Sequence, residues 1–317
     1  MRILVELPTW LGDAVMATPA LENLFLAYPE ASVTVVGSYV ATEALKAHPR
    51  IKRVVVDRTK ERGWRPLNLY RLAKELGRHD LAISFRSHFY SKMLLTLTGS
   101  KKRYLYKKTI DHRPSTVGRI HQVEKYQRFI NTVTGRSDTP GALKLHWRPK
   151  RYDRPTLGIN PGATYGSAKR WYPEKFAETA AAFADRFEIL IFGGPGERDI
   201  AGDIERALRN EGVSNLHNLA GETTIPQLCE AIGGLDLFIT GDSGPMHIAA
   251  AYRVPTVAIF GPTRDEETSQ WMNPKSVIVR KEMACAPCMK RTCPIKTHAC
   301  MREITPQEVI AAAETLL

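Results

Sequence analysis

The sequence contains no long apolar run. Its longest are short, such as Ile189-Leu190-Ile191-Phe192 and the TVAIF stretch at 256–260, well below the ~18 residues that a bilayer-spanning helix requires. A helical membrane protein is therefore not expected. The amino end, MRILVELPTW, reads as a strand and a turn rather than a basic segment leading into an apolar core, so the chain is expected to be cytoplasmic without a secretory leader. Low-complexity tracts and short-period repeats are missing, which argues against a disordered chain or a repeat array. Neither G-x-G-x-x-G nor G-x-x-x-x-G-K-[ST] occurs, so the sequence carries no dinucleotide fingerprint and no P-loop.

What is present is ordinary globular composition over 317 residues, 43% apolar, 25% charged and 8% aromatic. That length suits two domains of roughly 150 residues. Charge is divided unevenly. Residues 1–150 hold 27 Lys+Arg against 12 Asp+Glu, and residues 151–317 hold 18 against 21. A basic half joined to a near-neutral one suggests that the first half meets a polyanion, a phosphorylated or carboxylated substrate, or an anionic lipid surface. Solvated helix faces are the alternative.

Short β-rich runs alternate with helical spacing throughout. Strands are expected at 2–7, 32–37, 53–57, 81–85, 156–160, 187–193, 235–241, 256–261 and 276–280, with helices at about 173–185, 196–210, 225–233 and 244–252. Such alternation predicts parallel sheets with right-handed crossovers. The Pro- and Arg-bearing stretch HWRPKRYDRPT (146–156) is the linker candidate, dividing the chain into domains 1–150 and 151–317. Two doubly wound domains of this kind would form a cleft at the carboxyl ends of their strands. TPQEVIAAAETLL (305–317) reads as a final helix capped by Thr305.

Four stretches carry the chemistry. Gly12 and Asp13 follow the first strand, and Thr18-Pro19 predicts a fresh helix start that leaves Asp13 on a short turn. Its carboxylate suits a base for a substrate hydroxyl, or simply an N-cap. GINPGATYGSAKRW (158–171) is a strand and Gly-rich loop with Lys169 and Arg170 beside it, able to bring backbone N–H groups to a phosphate. In IFGGPGERD (191–199), Glu197 begins a helix where it could bind ribose hydroxyls or serve the helix end. FITGDSGPMHIAAA (238–251) runs from a strand into Asp242, Ser243 and Gly244, with His247 in the first helical turn, an arrangement suited to an anion.

Together LGDAVMATP, NPGA…AKRW, GGPGERD and GDSGPMHIAAA…VPTVAIFGPT resemble the ADP-heptose:lipopolysaccharide heptosyltransferases over nearly the whole chain. The segment CAPCMKRTCPIKTHACMREITPQEV is more similar to the enzymes that add the second inner-core heptose than to those that add the first. The resemblance implies an inverting glycosyltransferase with two facing Rossmann-like doubly wound domains, of GT-B type, ending in a C-terminal helix. It implies that the first domain binds the acceptor and the second binds ADP-heptose. It puts the catalytic base on Asp13 and the donor contacts on Thr164, Lys169, Glu197, Asp242, Ser243, Gly244 and His247. No D-x-D loop is present to hold a divalent ion on the diphosphate, so no cofactor is expected for catalysis. A Kdo- and heptose-bearing lipid A acceptor, at the cytoplasmic face of an anionic inner membrane, would match the basic half. Gly12, Arg86, Lys92, Lys101, Lys102 and Arg103 are the candidate contacts to that acceptor or surface.

Cys285, Cys288, Cys293 and Cys300 have the spacing C-x2-C-x4-C-x6-C. It is compatible with structural zinc, labile disulfides or packed thiols, and only the first pair has knuckle spacing. Cys229 reads as a buried thiol. Two other functions compete. A nucleic-acid-binding protein could use the basic half and the four cysteines, but no reading motif is present and nucleic acid is not an expected partner. A nucleotide-sugar epimerase would need the absent G-x-G-x-x-G turn.

Overall fold

A computed structural model describes residues 1–61, 63–107, 120–163 and 165–317. The chain divides into two compact units, Met1–His146 and Trp147–Leu317.

The first unit contains strands β1 (Arg2–Glu6), β2 (Ser32–Gly37), β3 (Ile51–Val56), β4 (Leu81–Ser84) and β5 (Lys102–Leu105). They form one parallel sheet in the order β3-β2-β1-β4-β5. Helices α1 (Leu11–Met16), α2 (Thr18–Ala27), α3 (Tyr39–Leu45), α4 (Arg65–Leu76), α5 (Phe89–Leu97) and α6 (Gln122–Thr134) connect or cover the strands. On one face Leu4, Val36 and Ala82 pack under Leu69, Leu72, Leu76, Leu94 and Leu95 from α4 and α5. Strand residues of both orientations are buried, as a sheet covered on both faces demands.

The second unit contains β6 (Thr156–Asn160), β7 (Glu188–Ile191), β8 (Leu216–Asn218), β9 (Leu237–Gly241), β10 (Thr256–Ile259) and β11 (Ser276–Val279). This parallel sheet has the order β11-β10-β9-β6-β7-β8. Its helices are α7 (Pro173–Ala181), α8 (Arg198–Asn210), α9 (Ile225–Gly233), α10 (Gly244–Tyr252), α11 (Asp265–Thr268), α12 (Ala299–Arg302) and α13 (Pro306–Glu314). Trp171, Phe176, Phe183, Ile189 and Ile239 fill its larger core, and the Trp171 Nε1–H donates to the Ile304 carbonyl at 3.2 Å. The final helix is capped by Thr305 as expected, and Glu308 completes a capping box in which the two satisfy each other's backbone N–H groups.

In each sheet the chain winds one way and then reverses. The reversal lies between β1 and β4 in the first unit and between β6 and β9 in the second. At such a point the loops leaving neighbouring strands diverge, and the carboxyl-end crevice between them is where open α/β sheets bind ligands.

Candidate active site

In the second unit, the last paired position of the reversal sets Asn160 against Thr240. The Asn160 amide donates to the Thr240 hydroxyl at 3.4 Å and to the Ser243 hydroxyl at 3.3 Å, while the two hydroxyls lie 3.1 Å apart. Sequence reasoning passed over both residues, although a polar group ending an otherwise apolar buried strand is a readable signal. Ser243 is the N-cap of α10 in an extended conformation, and its side chain makes no capping bond to the helix. Gly244 and Pro245 open the helix, whose first N–H groups and dipole favour an anion. His247 is buried in that first turn.

Lys169 arrives from the loop after β6, and Asp242 follows β9. Their Nζ and Oδ2 atoms are 2.5 Å apart, with only 12% and 6% of the two side chains exposed. Lys169 also donates to the Asp242 carbonyl at 3.3 Å and lies over the Tyr165 ring at 4.8 Å. Thr263, another residue missed in the sequence, donates its hydroxyl to the same Asp242 oxygen at 2.6 Å. A lone carboxylate here would repel a phosphate. Paired with Lys169, it instead orients an ammonium beside the helix terminus.

Glu197 serves its helix, accepting the Gly194 N–H at 2.7 Å. Its carboxylate also fills the space over Gly162, so that any side chain at 162 would collide with it. Glu197 therefore borders the loop that leads to Lys169. Thr164 lies outside the described residues.

In the first unit Gly12 and Asp13 lie in α1, a six-residue helix rather than the expected short turn. Trp10, extended, starts this helix, and α2 begins afresh with Pro19 in its first turn. Asp13 keeps company with two phenols. Burial first, and then the Asp13 charge, push Tyr106 and Tyr126 above the usual tyrosine range. Tyr106 also accepts from Gln122 at 3.4 Å and packs edge-on against Tyr126.

Arg86 is not a surface cation. Its guanidinium lies 3.3 Å from Glu6 and 3.4 Å from Asp57, and only 9%, 4% and 10% of the three side chains are exposed. Its Nε donates to the Leu7 carbonyl at 2.7 Å. Glu6 is the last residue of β1, paired in register with Ser84 of β4, and accepts from Ser84 at 2.5 Å and from Ser91 at 3.1 Å. Burial pushes the Glu6 carboxyl up, opposed by Arg86 and the two hydroxyls. Neighbouring carboxylates claim Arg86, which local sequence could not reveal.

Lys92 is exposed in the first turn of α5, on the carboxyl side of β4. Lys101 and Lys102 lie elsewhere. Lys101 precedes β5 and pairs with Asp80, which precedes β4, at 2.7 Å. Parallel strands put these amino ends at the edge of the sheet opposite to Asp13 and Arg86. Lys102 and Arg103 belong to β5, an edge strand whose charges discourage further pairing. They lie toward the end of the sheet remote from Asp13. Residues 108–113 of the basic stretch lie outside the described residues.

Among the described residues, Glu22, His48 and His146 alone bring three potential metal-ligand atoms within 4.8 Å of one another. The tautomer argues against an ion there. His48 Nδ1 accepts the Arg50 N–H at 3.0 Å, leaving Nε2 to carry the proton toward Glu22 at 2.8 Å. A metal-bound histidine instead donates through its other nitrogen. The histidine hydrogen bond is the main reason the Glu22 carboxyl falls to about 2.

The sequence profile of glycosyltransferase family 9 (heptosyltransferase) matches residues 69–299. Lipooligosaccharide heptosyltransferase 2 of Campylobacter jejuni is 41% identical, with 100% of this chain and 98% of that protein covered. The chain belongs to glycosyltransferase family 9. Lipopolysaccharide heptosyltransferase 2 of Escherichia coli is 26% identical over 100% of this chain and 99% of its own length. Among solved structures, the E. coli ADP-heptose heptosyltransferase II superposes with a TM-score of 0.80 at 24% identity, covering 100% and 98% of the two chains. A family 9 glycosyltransferase from Veillonella parvula gives 0.84 at 22% identity, covering 99% and 96%. The fold is thus the GT-B-like fold of heptosyltransferases, and among the described residues no helix is long and apolar enough to cross a membrane.

Proposed function

We propose that this family 9 enzyme transfers heptose from ADP-heptose to a heptose- and Kdo-bearing lipid A acceptor of the lipopolysaccharide or lipooligosaccharide inner core, adding the second heptose with inversion. The observation that carries the reading is the Lys169–Asp242 pair at the amino end of α10. It supplies a fixed ammonium, helix N–H groups and the Ser243 hydroxyl where a diphosphate would gather charge. Membership of the family gives that anion its identity, and the named heptosyltransferase 2 relatives favour the second addition.

Asp13 takes the proton of the acceptor hydroxyl as that oxygen attacks the anomeric carbon. The bond from that carbon to the diphosphate oxygen breaks, and ADP departs with the electron pair from the opposite face. Lys169, Ser243, the α10 N–H groups and His247 stabilise the leaving charge. Glu197 holds the ribose of the nucleoside end. Because these donors are fixed, no metal ion is needed on the diphosphate.

The first unit takes the acceptor. Trp10, Trp64 and Phe89 are 50%, 72% and 73% exposed, on segments that leave the carboxyl ends of β1, β3 and β4. With Lys92 they suit an amphiphile at the cytoplasmic face of an anionic membrane.

The test is incubation with ADP-heptose and two lipid A–Kdo acceptors, one bare and one already heptosylated, read by mass spectrometry of the glycolipid. Extension of the heptosylated acceptor alone, retained during brief EDTA treatment and with an inverted anomeric centre by NMR, is expected. Extension of the bare acceptor alone would move the enzyme to the first addition. Retention of configuration would remove Asp13 as a simple base.

A further inference from the structure

The transfer step proposed above uses none of the four clustered cysteines, yet they border the loop that delivers Lys169. Cys285, Cys288, Cys293 and Cys300 line one small pocket of about 20 Å³, shared with Ala168, Pro262 and His298. That volume admits one water-sized occupant. All four are free thiols.

The backbone around them is shaped toward sulfur. The His298 N–H donates to Cys293 Sγ at 3.4 Å. Met289, Lys296 and His298 adopt left-handed φ values of 56°, 59° and 50°. The chain thus curls directly after Cys288 and again after Cys293. Both His298 nitrogens are occupied, Nδ1 near the Tyr172 hydroxyl at 3.1 Å and Nε2 near the Ala168 carbonyl at 2.9 Å. The histidine is therefore a brace and not a ligand. Lys290, Arg291, Lys296 and Arg302 are interspersed with the cysteines, balancing the two negative charges left when a divalent ion meets four thiolates.

The same segment frames both members of the donor-site pair. Arg291 offers its carbonyl to the Ala168 N–H at 3.0 Å, and the Met289 carbonyl accepts the Tyr165 hydroxyl at 2.8 Å. The Met289 N–H donates to the Pro262 carbonyl at 2.8 Å. Ala168 adjoins Lys169, and Pro262 adjoins Thr263, the partner of Asp242.

We propose that Cys285, Cys288, Cys293 and Cys300 hold one tetrahedral thiolate-bound ion, zinc(II) or iron(II), which clasps the loop carrying Lys169 and takes no part in transfer. The thiols release their protons to solvent on binding, and the ion draws the sulfurs inward from their open arrangement around the cavity. The clasp role rests on the donor-site reading above; the metal site does not.

The protein as purified, without chelator, is assayed by elemental analysis and X-ray absorption. One ion per chain with four sulfurs at about 2.3 Å is expected, and the absorbing element distinguishes zinc from iron. Four free thiols with no ion, or two disulfides, would overturn the site. Cys288→Ser should lose the ion and Cys229→Ser should keep it. If Cys288→Ser does not fold, wild-type protein depleted by a strong chelator replaces it. Removing the ion should weaken ADP binding about tenfold, with recovery on adding it back. An ion whose removal leaves ADP affinity unchanged would overturn the clasp. Failure of the loaded protein to bind ADP would instead count against the donor-site reading while leaving the metal site standing.

Discussion

At the final paired position of its reversing strands, the first unit sets Glu6 against Ser84 and the second sets Asn160 against Thr240. The positions correspond, but the electrostatics do not. Around Glu6 one guanidinium serves two carboxylates, Glu6 and Asp57, and Asp13 adds a third acid at the same edge of the sheet. Around Asn160 the base layer is neutral, Lys169 balances Asp242, and α10 presents its positive end. An anion is favoured at the second reversal, and a group that gives up a proton at the first. The summed charge points the other way, because the first half is the strongly basic one. Local pairing, rather than the total, separates the two chemistries.

The largest test of this contrast is Asp13→Asn. Transfer should fall by about 10²–10⁴-fold, the usual worth of a general base, while ADP affinity measured by calorimetry stays unchanged. A parallel fall in ADP affinity would break the division between the units. Next is Arg86→Met, which leaves Glu6 and Asp57 buried without their shared cation. Breaking a buried ion pair from one side costs about 3–5 kcal/mol, so urea unfolding of the first unit should move to markedly lower denaturant. An unchanged midpoint would mean that the cluster is hydrated and contributes little.

Lys169→Ala should cost about 1.5–3 kcal/mol of ADP binding, the range for a hydrogen bond to a charged group. The double variant Lys169→Ala/Asp242→Asn sharpens the comparison. It should bind ADP better than Lys169→Ala alone, since the unpaired carboxylate is gone; weaker binding would show that Asp242 contacts the nucleotide directly. The smallest effect concerns Glu22, whose folded carboxyl lies near 2, below its ordinary 4.5. A depressed acid stabilises the folded state above its unfolded value and loses that contribution as pH falls through the folded one. The melting-temperature gap between wild type and Glu22→Gln should therefore be full above pH 4.5 and close toward pH 2, in the first unit only.

Much of the architecture was readable. Helices at 225–233 and 244–252 fall where Pro and the apolar spacing put them, and the restart at Thr18-Pro19 separates α1 from α2. Two strands escaped notice. β5 is four residues with two cations, and β8 is three residues, Leu216-His217-Asn218, so neither shows an apolar run. Of the candidate donor residues, Lys169 from the loop after β6 meets Asp242 from the loop after β9, where Ser243 follows and pairs with Asn160. Thr263 was missed because a single hydroxyl is common in any loop. The pairing of Arg86 was not legible because its partners, Glu6 and Asp57, are 80 and 29 positions away. Long-range pairing of this kind depends on topology that local spacing does not encode.

The segment joining the two units is fastened to the second. The Trp147 carbonyl accepts the Tyr252 hydroxyl at 2.9 Å, the Lys150 N–H donates to the Glu230 carbonyl at 2.8 Å, and the Tyr152 hydroxyl donates to the Ala231 carbonyl at 3.0 Å. These bonds tie off the carboxyl ends of α9 and α10, the second of which has at its other end the Ser243 N-cap, next to Asp242 of the Lys169–Asp242 pair. For a fragment built to study nucleotide binding in isolation, the cut belongs before Trp147. Starting at 151 would strip two of the three ties and let the far end of α10 fray.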